Sequence, residues 1–166
     1  MGVFKGLDIF GILQDDKKIV TKKAVGRKLK IIFIRDDLVL FYFKDGANCA
    51  SVNTSSSIVS ETISWNSSSH KKTIKGLLVN TKNANTFTGK QGKESLDILA
   101  KNLSRCLTLR ESKSEKGTSE TIKIKDLIFA STGVIGEQFP VDQIKETIPD
   151  LVNKLKKQHN KLYWLK

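Results

Sequence analysis

Two runs of apolar residues near the start of the chain have the composition of buried strands. Lys30–Arg35 and Leu38–Phe43 flank the acidic pair Asp36-Asp37. β-Branched and aromatic residues in runs of this length predict two strands or a bulged pair. Both runs are apolar on both faces, which predicts strands that are covered on both sides. Asp45-Gly46 then predicts a turn.

Two later segments place their apolar residues at helical spacing. The first follows Gly89 and Gly92 and consists of Leu96, Leu99, Ala100, Leu103 and Leu107. The second consists of Ile144, Ile148, Leu151, Val152 and Leu155. Pro149 lies within the second stripe and predicts that the helix kinks or restarts there, because proline cannot donate the helical hydrogen bond.

The remaining segments complete an alternating order. The serine-rich segment Ser51–Ser69 is interpreted as strand and loop, and Thr73–Val79 as a strand that runs into a polar turn at 80–85. Asp126–Ala130 is predicted as a short buried strand, whereas Glu111–Glu120 contains no apolar residue and is predicted as an exposed loop. The order predicts the α/β class, with mixed sheets packed against helices in a single domain portion over residues 1–166.

Composition is that of a globular protein, with a mean hydropathy of −0.27. No segment approaches the roughly 20 apolar residues of a membrane helix, and no secretory leader is evident at the start. Cys49 and Cys106 are interpreted as free thiols in a reducing cytoplasm. The apolar cluster Leu162–Lys166 has no stop signal, which predicts an interruption of the chain instead of a natural end.

The formal charge of +12 raises nucleic acid as a partner. However, only four of the 29 basic residues are arginines, and base recognition and bidentate phosphate contacts depend on arginine. A solvated basic surface is therefore favoured, and a small basic nucleic-acid-binding protein is kept as an alternative. His70 and His159 lie in lysine-rich stretches and are interpreted as surface residues.

Two segments carry candidate chemistry. Ala130–Gly136 ends a predicted strand in small residues and two glycines, a pattern that forms either a plain turn or a set of exposed amides that can bind an oxyanion. Asn80, Asn83 and Asn85 follow another strand. Their amides can bond backbone groups in tight turns or bind a polar amino-acid substrate. The residues alone leave both pairs of alternatives open.

Taken together, these segments resemble the two signatures of the ornithine acetyltransferase (glutamate N-acetyltransferase, ArgJ) family. Leu78–Gly89 and Ala130–Glu137 match them in order, with a helix between, and Phe139–Ile144 continues the match. Asp45–Val52 is similar to an early small-residue segment of the family. The resemblance implies the N-terminal α-chain portion of an ArgJ/DmpA-like, N-terminal-nucleophile-like architecture, incomplete in this chain.

By that resemblance, Thr132 supplies its side chain and Gly133 its backbone amide to an oxyanion hole. The family cleaves its own precursor, and a threonine at the start of the resulting β chain carries the acetyl group from N-acetylornithine to glutamate. No coenzyme is needed, although acetyl-CoA can replace the donor in some members. The resemblance further implies an α2β2 heterotetramer in the cytoplasm. The threonine is expected beyond Lys166, so this chain alone is expected to be inactive.

Two positions depart from the family pattern. Lys82 stands where a glycine is usual, and Asn53 where an aromatic residue is usual. Lys82 puts a cation near the asparagine turn, where it either alters carboxylate binding or faces solvent. A related autoprocessing amidase or aminopeptidase is the alternative within the same chemistry.

Overall fold

The computed structural model describes residues 7–13, 20–21, 32–33, 36–69, 73–113 and 121–155. The strands are β1 (Leu7–Leu13), β2 (Val20–Thr21), β3 (Ile32–Phe33), β4 (Asp36–Asn48), β5 (Thr73–Asn80) and β6 (Leu127–Ser131). The α-helices are α1 (Glu61–Ser69), α2 (Gly89–Ser112) and α3 (Val141–Asn153), and a 3-10 helix spans Ile124–Asp126.

The main sheet is mixed and has the strand order β1-β4-β5-β6. β4 pairs antiparallel with β1 and with β5, whereas β5 and β6 pair in parallel. A parallel pair needs a crossover connection, and α2 supplies it. In the parallel register Asn80 faces Ser131, so the carboxyl ends of β5 and β6 lie side by side. The predicted α/β class with a mixed sheet and helices is confirmed.

One face of the sheet forms the core. Leu40, Leu78 and Phe129 are aligned across three strands and are almost fully buried. They belong to one apolar cluster with the predicted stripes of α2 and α3 and with Trp65 of α1. Because both stripes are buried in this cluster, the helices predicted from the two patterns are confirmed.

The other side of the sheet, here called the open face, is apolar but only half-buried. Its cross-strand rows are Val39–Val79–Ala130 and Phe41–Leu77–Ile128. None of these six side chains belongs to the helix-covered core cluster. The prediction of strands covered on both sides is therefore wrong for the described residues, where the helices pack on one face alone.

Helix α1 is a correction to the sequence interpretation, which expected strand and loop over Ser51–Ser69. Residues 51–60 are irregular, and a helix follows. The amide of Ile63 donates to Ser60 Oγ at 3.3 Å, which satisfies one of the free donors at the helix start. Trp65 is buried and donates from Nε1 to Asp97 Oδ1 at 2.9 Å. Serines have modest helix propensity, so this helix depends on tertiary contacts that its periodicity does not reveal.

Asn66 of α1 covers the edge of the sheet at β6. Its Nδ2 donates to the carbonyl oxygen of Phe129 at 2.7 Å, and its Oδ1 accepts from the Phe129 amide at 3.0 Å. This side chain thereby takes the place of a neighbouring strand. Nearby, the hydroxyls of Thr62 and Ser131 lie 2.9 Å apart. Polar contacts of this kind remove the unpaired groups that make an exposed strand edge prone to aggregation.

The two predictions around β4 differ in outcome. The sequence predicted two strands or a bulged pair around Asp36-Asp37, and two strands form, β3 and β4. They do not pair with each other, because β3 pairs with β2 and β4 pairs with β1. Asp45-Gly46 is not a turn but lies inside β4, where the register with β5 shifts between Tyr42 and Ala47. Gly46 has a φ of +78°, so its freedom serves a bulge within a long strand.

The loop predicted at Glu111–Glu120 begins later than expected. α2 continues to Ser112, and Glu111 is buried, with Oε1 3.2 Å from Arg110 Nη1 and Oε2 3.8 Å from Lys44 Nζ. Exposure was predicted because Glu111 is charged. In the structure, Arg110 and Lys44 compensate this charge and allow the side chain to be buried. Residues 114–120 lie outside the described residues, as do His70, His159 and the cluster at 162–166.

Three further predictions concern single strands and Pro149. The strands predicted at Thr73–Val79 and Asp126–Ala130 are confirmed as β5 and β6. Helix α3 runs through Pro149 without restarting. None of the described helices is long and apolar enough to cross a membrane.

Both cysteines, Cys49 and Cys106, are free and half-buried. Burial raises the pKa of the Cys106 thiol, and the charge of Arg105 opposes this shift in part. At neutral pH Cys106 is therefore a protonated, unreactive thiol.

The core can be tested by truncation on α2. Leu103→Ala should lower the free energy of unfolding by about 2–5 kcal/mol, because Leu103 is fully buried and its truncation leaves a cavity. Leu109→Ala is the matched control on the same helix: its side chain is 51% exposed, so the loss should stay within about 0.5 kcal/mol. Urea unfolding of both variants measures the difference, and equal losses would contradict the described core.

Candidate functional site

The candidate site lies where β5 and β6 end side by side. The loop after β6 pairs with the loop after β5 through alternate backbone groups. The backbone amide of Thr132 donates to the Asn80 carbonyl at 3.0 Å. In the same way, the Val134 amide donates to the Lys82 carbonyl at 2.9 Å, and the Gly136 amide to the Thr86 carbonyl at 2.8 Å. These bonds extend the parallel pairing of the strands into the loops, and a bridge between Asn83 and Val134 marks the same alignment. The two segments that carried the family resemblance are therefore in direct contact.

The same alternation leaves the intervening amides unused. Those of Gly133 and Ile135 have no hydrogen-bond partner among the described residues. The side chain of Thr132 is exposed and also lacks one there. A hydroxyl and a neighbouring amide, both free and at the surface, are thus presented at the end of β6. These are the two groups that the sequence singled out.

Gly133 is required by its surroundings as well as by its backbone conformation. It has a φ of +133°, a value that residues with a side chain rarely adopt. A Cβ at this position would overlap the carbonyl group of Lys82. The close approach of two backbones explains why a glycine follows Thr132.

The three asparagines are structural. Asn80 donates from Nδ2 to the Asn83 carbonyl at 3.0 Å, and Asn83 donates to Glu137 Oε2 at 3.2 Å. Asn85, which is fully buried with a φ of +51°, accepts from Thr88 Oγ1 at 2.7 Å. These side chains thus bond within the first loop and from it to the segment after β6, which supports the structural alternative over direct substrate binding.

Lys82, which departs from the family pattern, reaches back to the start of β4. Its Nζ lies 2.6 Å from Oδ2 of Asp37, a carboxylate whose side chain is only 8% exposed. No hydrogen bond to Oδ2 accompanies this ion pair in the part of the chain that the structure describes. The carbonyl of Asp37 also accepts from the Thr81 amide at 3.0 Å. The cation therefore neutralises a buried charge. The Lys82 side chain is 49% exposed, so the expectation that it faces solvent holds in part, and an effect on carboxylate binding stays a prediction.

A small cavity of about 60 Å³ lies between this turn and α3. It is lined in part by Asp37, Asn80, Lys82, Gln143 and Thr147. Water-sized molecules fit into this cavity. Thr132 and Gly133 are not among the residues that line it.

Asn53, the second departure, lies in the exposed segment before α1. Its Nδ2 donates to Ser67 Oγ at 3.2 Å, far along the chain from the candidate donors. Among the described residues, no hydrogen bond or ion pair joins Asn53 to Thr132 or Gly133. The sequence analysis did not include Asp37 in the site. An acidic residue beside an apolar run gives no local signal that it pairs with a residue as distant as Lys82.

The close approach at Gly133 makes a direct prediction. Gly133→Ala should destabilise the chain by more than the roughly 1–3 kcal/mol that an unfavourable backbone conformation costs, because the new methyl group also meets the Lys82 carbonyl. Gly136→Ala is the control: its φ is +82°, but open space surrounds the added methyl group. Thermal unfolding of both variants compares the two costs. Equal shifts would show that the loops are further apart than described.

The ion pair makes a second prediction. Lys82→Met should lower the free energy of unfolding by about 1–3 kcal/mol at neutral pH, since it leaves the Asp37 carboxylate buried without its cation. Adding Asp37→Asn should recover part of this loss, because the uncompensated charge is removed. Lys90→Met, at a side chain that is 89% exposed, is the matched control. Urea unfolding of Lys82→Met, Asp37→Asn, the double variant and Lys90→Met measures the coupling, and additive losses in the double variant would refute it.

Comparison with known proteins connects this geometry to a family. The sequence profile of the ArgJ family matches residues 20–162. The arginine biosynthesis bifunctional protein ArgJ of Prochlorococcus marinus is 30% identical over 128 residues, which cover 75% of this chain and 27% of that protein. The corresponding protein of Oceanobacillus iheyensis is 35% identical over 82 residues, which cover 49% of this chain and 17% of that protein. The chain thus spans about a quarter or less of these relatives.

Solved structures share the fold. The ArgJ protein of Bacillus halodurans superposes with a TM-score of 0.62 at 22% identity, covering 87% of this chain and 62% of that chain. Ornithine acetyltransferase of Mycobacterium tuberculosis, solved with ornithine, gives a TM-score of 0.62 at 19% identity over 74% of this chain and 60% of that chain. The profile match covers most of the sequence, and the described fold agrees with it. The chain belongs to the ArgJ family.

Proposed function

We propose that this chain is the α-chain part of an acetyltransferase that moves the acetyl group of N-acetylornithine to glutamate in arginine biosynthesis. One observation carries the proposal: Thr132 Oγ1 and the Gly133 amide are exposed and have no partner among the described residues, although the amides of Thr132 and Val134 on either side are both engaged. Family membership supplies the chemical context.

The proposed role of the two donors is electrostatic. Attack on the acetyl carbonyl creates a tetrahedral intermediate with a negative oxygen. Thr132 donates from its hydroxyl and Gly133 from its backbone. The bonds that the Thr132 and Val134 amides make on either side hold the Gly133 amide in place before the reaction. Fixed donors need no reorganisation when charge develops, so they lower the barrier more than mobile water does.

The nucleophile belongs to a part of the enzyme that this chain does not span. We propose an N-terminal threonine, freed by autocatalytic cleavage, as the first residue of a β chain. Its α-amine has a pKa near 8 and can take the hydroxyl proton as the hydroxyl attacks the acetyl carbonyl. The tetrahedral intermediate then collapses, the amide C–N bond of N-acetylornithine breaks, and the departing nitrogen of ornithine takes up that proton. The amine of glutamate next attacks the acetyl-threonine ester; the threonine oxygen leaves with the proton that the amine loses, which restores the hydroxyl and releases N-acetylglutamate. The transfer needs no coenzyme, and acetyl-CoA can serve as an alternative donor.

The same proposal identifies the polypeptides with which this chain assembles. The chain alone holds donors without a nucleophile and is inactive by itself; it works with the β chain, in an α2β2 assembly in the cytoplasm. An autoprocessing amidase or aminopeptidase would use the same donors, so the acceptor distinguishes the two chemistries.

The proposal predicts a loss of rate at Thr132. In the enzyme assembled with its β chain, Thr132→Ala should lower kcat for acetyl transfer about 100- to 1,000-fold, because one oxyanion donor is removed. Thr132→Ser keeps the hydroxyl and is the matched control, which should retain most of the activity. Transfer from N-acetylornithine is followed with and without glutamate.

The measurements test the role of the Thr132 hydroxyl and distinguish an acetyltransferase from a hydrolase. Unchanged turnover in Thr132→Ala would refute the role of the hydroxyl. Deacetylation of N-acetylornithine at the same rate without glutamate would favour the hydrolase. Circular dichroism of the variants establishes that the fold is intact, which is expected because the Thr132 side chain is exposed.

A further inference from the structure

The backbone of Lys82 is the surface against which the Gly133 amide is held. The Lys82 carbonyl accepts a hydrogen bond from the Val134 amide at 2.9 Å. Gly133 directly precedes that amide and lies so close to the same carbonyl group that a Cβ on Gly133 would overlap it. The position and direction of the Gly133 amide therefore depend on where the peptide group of Lys82 lies.

The side chain of Lys82 fixes this peptide group to the start of β4. Its Nζ lies 2.6 Å from Oδ2 of Asp37. The backbone is joined at the same place, because the Thr81 amide donates to the Asp37 carbonyl at 3.0 Å. One residue further along β4, Leu38 pairs with Asn80 in the sheet. The ion pair thus adds an anchor beyond the last residue of β5, at the point where the regular pairing with β4 has ended.

An ion pair with a buried member restrains the turn more firmly than one at the surface. The Asp37 carboxylate is buried and belongs to β4, so a displacement of Lys82 would leave a buried charge without its cation. The ion pair between Lys90 and Glu94 has no buried member, since the two side chains are 89% and 58% exposed, and water can replace either partner. Lys82 therefore resists movement of the turn away from β4.

We propose that Lys82 is a positioning residue, which holds the Gly133 amide in the direction of the oxyanion through its ion pair with Asp37. A donor that is fixed before charge develops stabilises the oxyanion without reorganisation. Glycine is usual at position 82 in the family and has no side chain for this contact, so the anchor belongs to this chain. The proposal rests on the proposed function for what the amide does, but the rigidity of the amide is measured independently of catalysis.

The first experiment measures the order parameter of the Gly133 amide by ¹⁵N relaxation in the isolated chain. The wild type should give about 0.85, the value of rigid backbone, and Lys82→Met should lower it below about 0.6 because the anchor is lost. Lys82→Arg keeps the cation and should restore the wild-type value. Lys90→Met is the matched control and should change nothing. The amide of Gly76, inside β5, is the internal reference and should stay rigid in every variant.

The second experiment separates kcat from KM in the enzyme assembled with its β chain. Lys82→Met should lower kcat for acetyl transfer about 10- to 100-fold, because a displacement of about 1 Å at a reacting centre costs up to about 100-fold. KM for N-acetylornithine should stay nearly unchanged, since the oxyanion exists only as the reaction proceeds. Lys82→Arg should retain most of the rate. Asp37→Asn should lower kcat as Lys82→Met does, and the double variant no further, because both remove one contact.

Three results would overturn the inference. The first is an equally rigid Gly133 amide in Lys82→Met. The second is a loss of rigidity that extends to Gly76, which would assign the ion pair to the fold in general. The third is a loss of rate in Lys82→Arg as large as that in Lys82→Met. A loosened Gly133 amide together with unchanged turnover of Lys82→Met and Thr132→Ala would instead refute the proposed function, and would leave the anchoring of the amide by Lys82 supported.

Discussion

The parallel pairing of β5 with β6 is the constraint on which the candidate site depends. Asn80 and Ser131 end the two strands side by side, and the loops beyond them continue to exchange backbone hydrogen bonds at alternate positions. An alternating pattern turns every second amide outward. The exposed amide of Gly133 is therefore a consequence of strand pairing, in the same way that one edge of a parallel ladder always faces away from its partner.

Several buried polar groups hold this pairing in place. Asn85 is anchored between Thr88 and the start of α2, and Asn83 links the first loop to Glu137 beyond the second. The Lys82–Asp37 ion pair ties the same turn to β4. Buried polar networks rigidify a structure when each member is satisfied. Such rigidity suits donors that must be in position before charge develops.

The two faces of the main sheet differ in how far their side chains are buried. The helix-covered face contains fully buried residues from α2, α3 and three strands, whereas the open face is apolar but only half-buried. Thr132 and Gly133 lie at the end of the same sheet. The match covers only 27% of the Prochlorococcus marinus relative, and the proposed function assigns the nucleophile to the part that this chain does not span.

The sequence by itself determined the amphipathic helices α2 and α3, the strands β5 and β6 and the motif around Thr132 and Gly133, because periodicity and small-residue patterns are local. Only the tertiary structure decided the rest. Helix α1 depends on Trp65 and Asn66 reaching distant partners, and Glu111 is buried because cations from two elements meet it. The role of Lys82 likewise follows from Asp37, which lies 45 residues earlier in the chain. Contacts between residues far apart in sequence leave no periodic signal, so the fold alone reveals them.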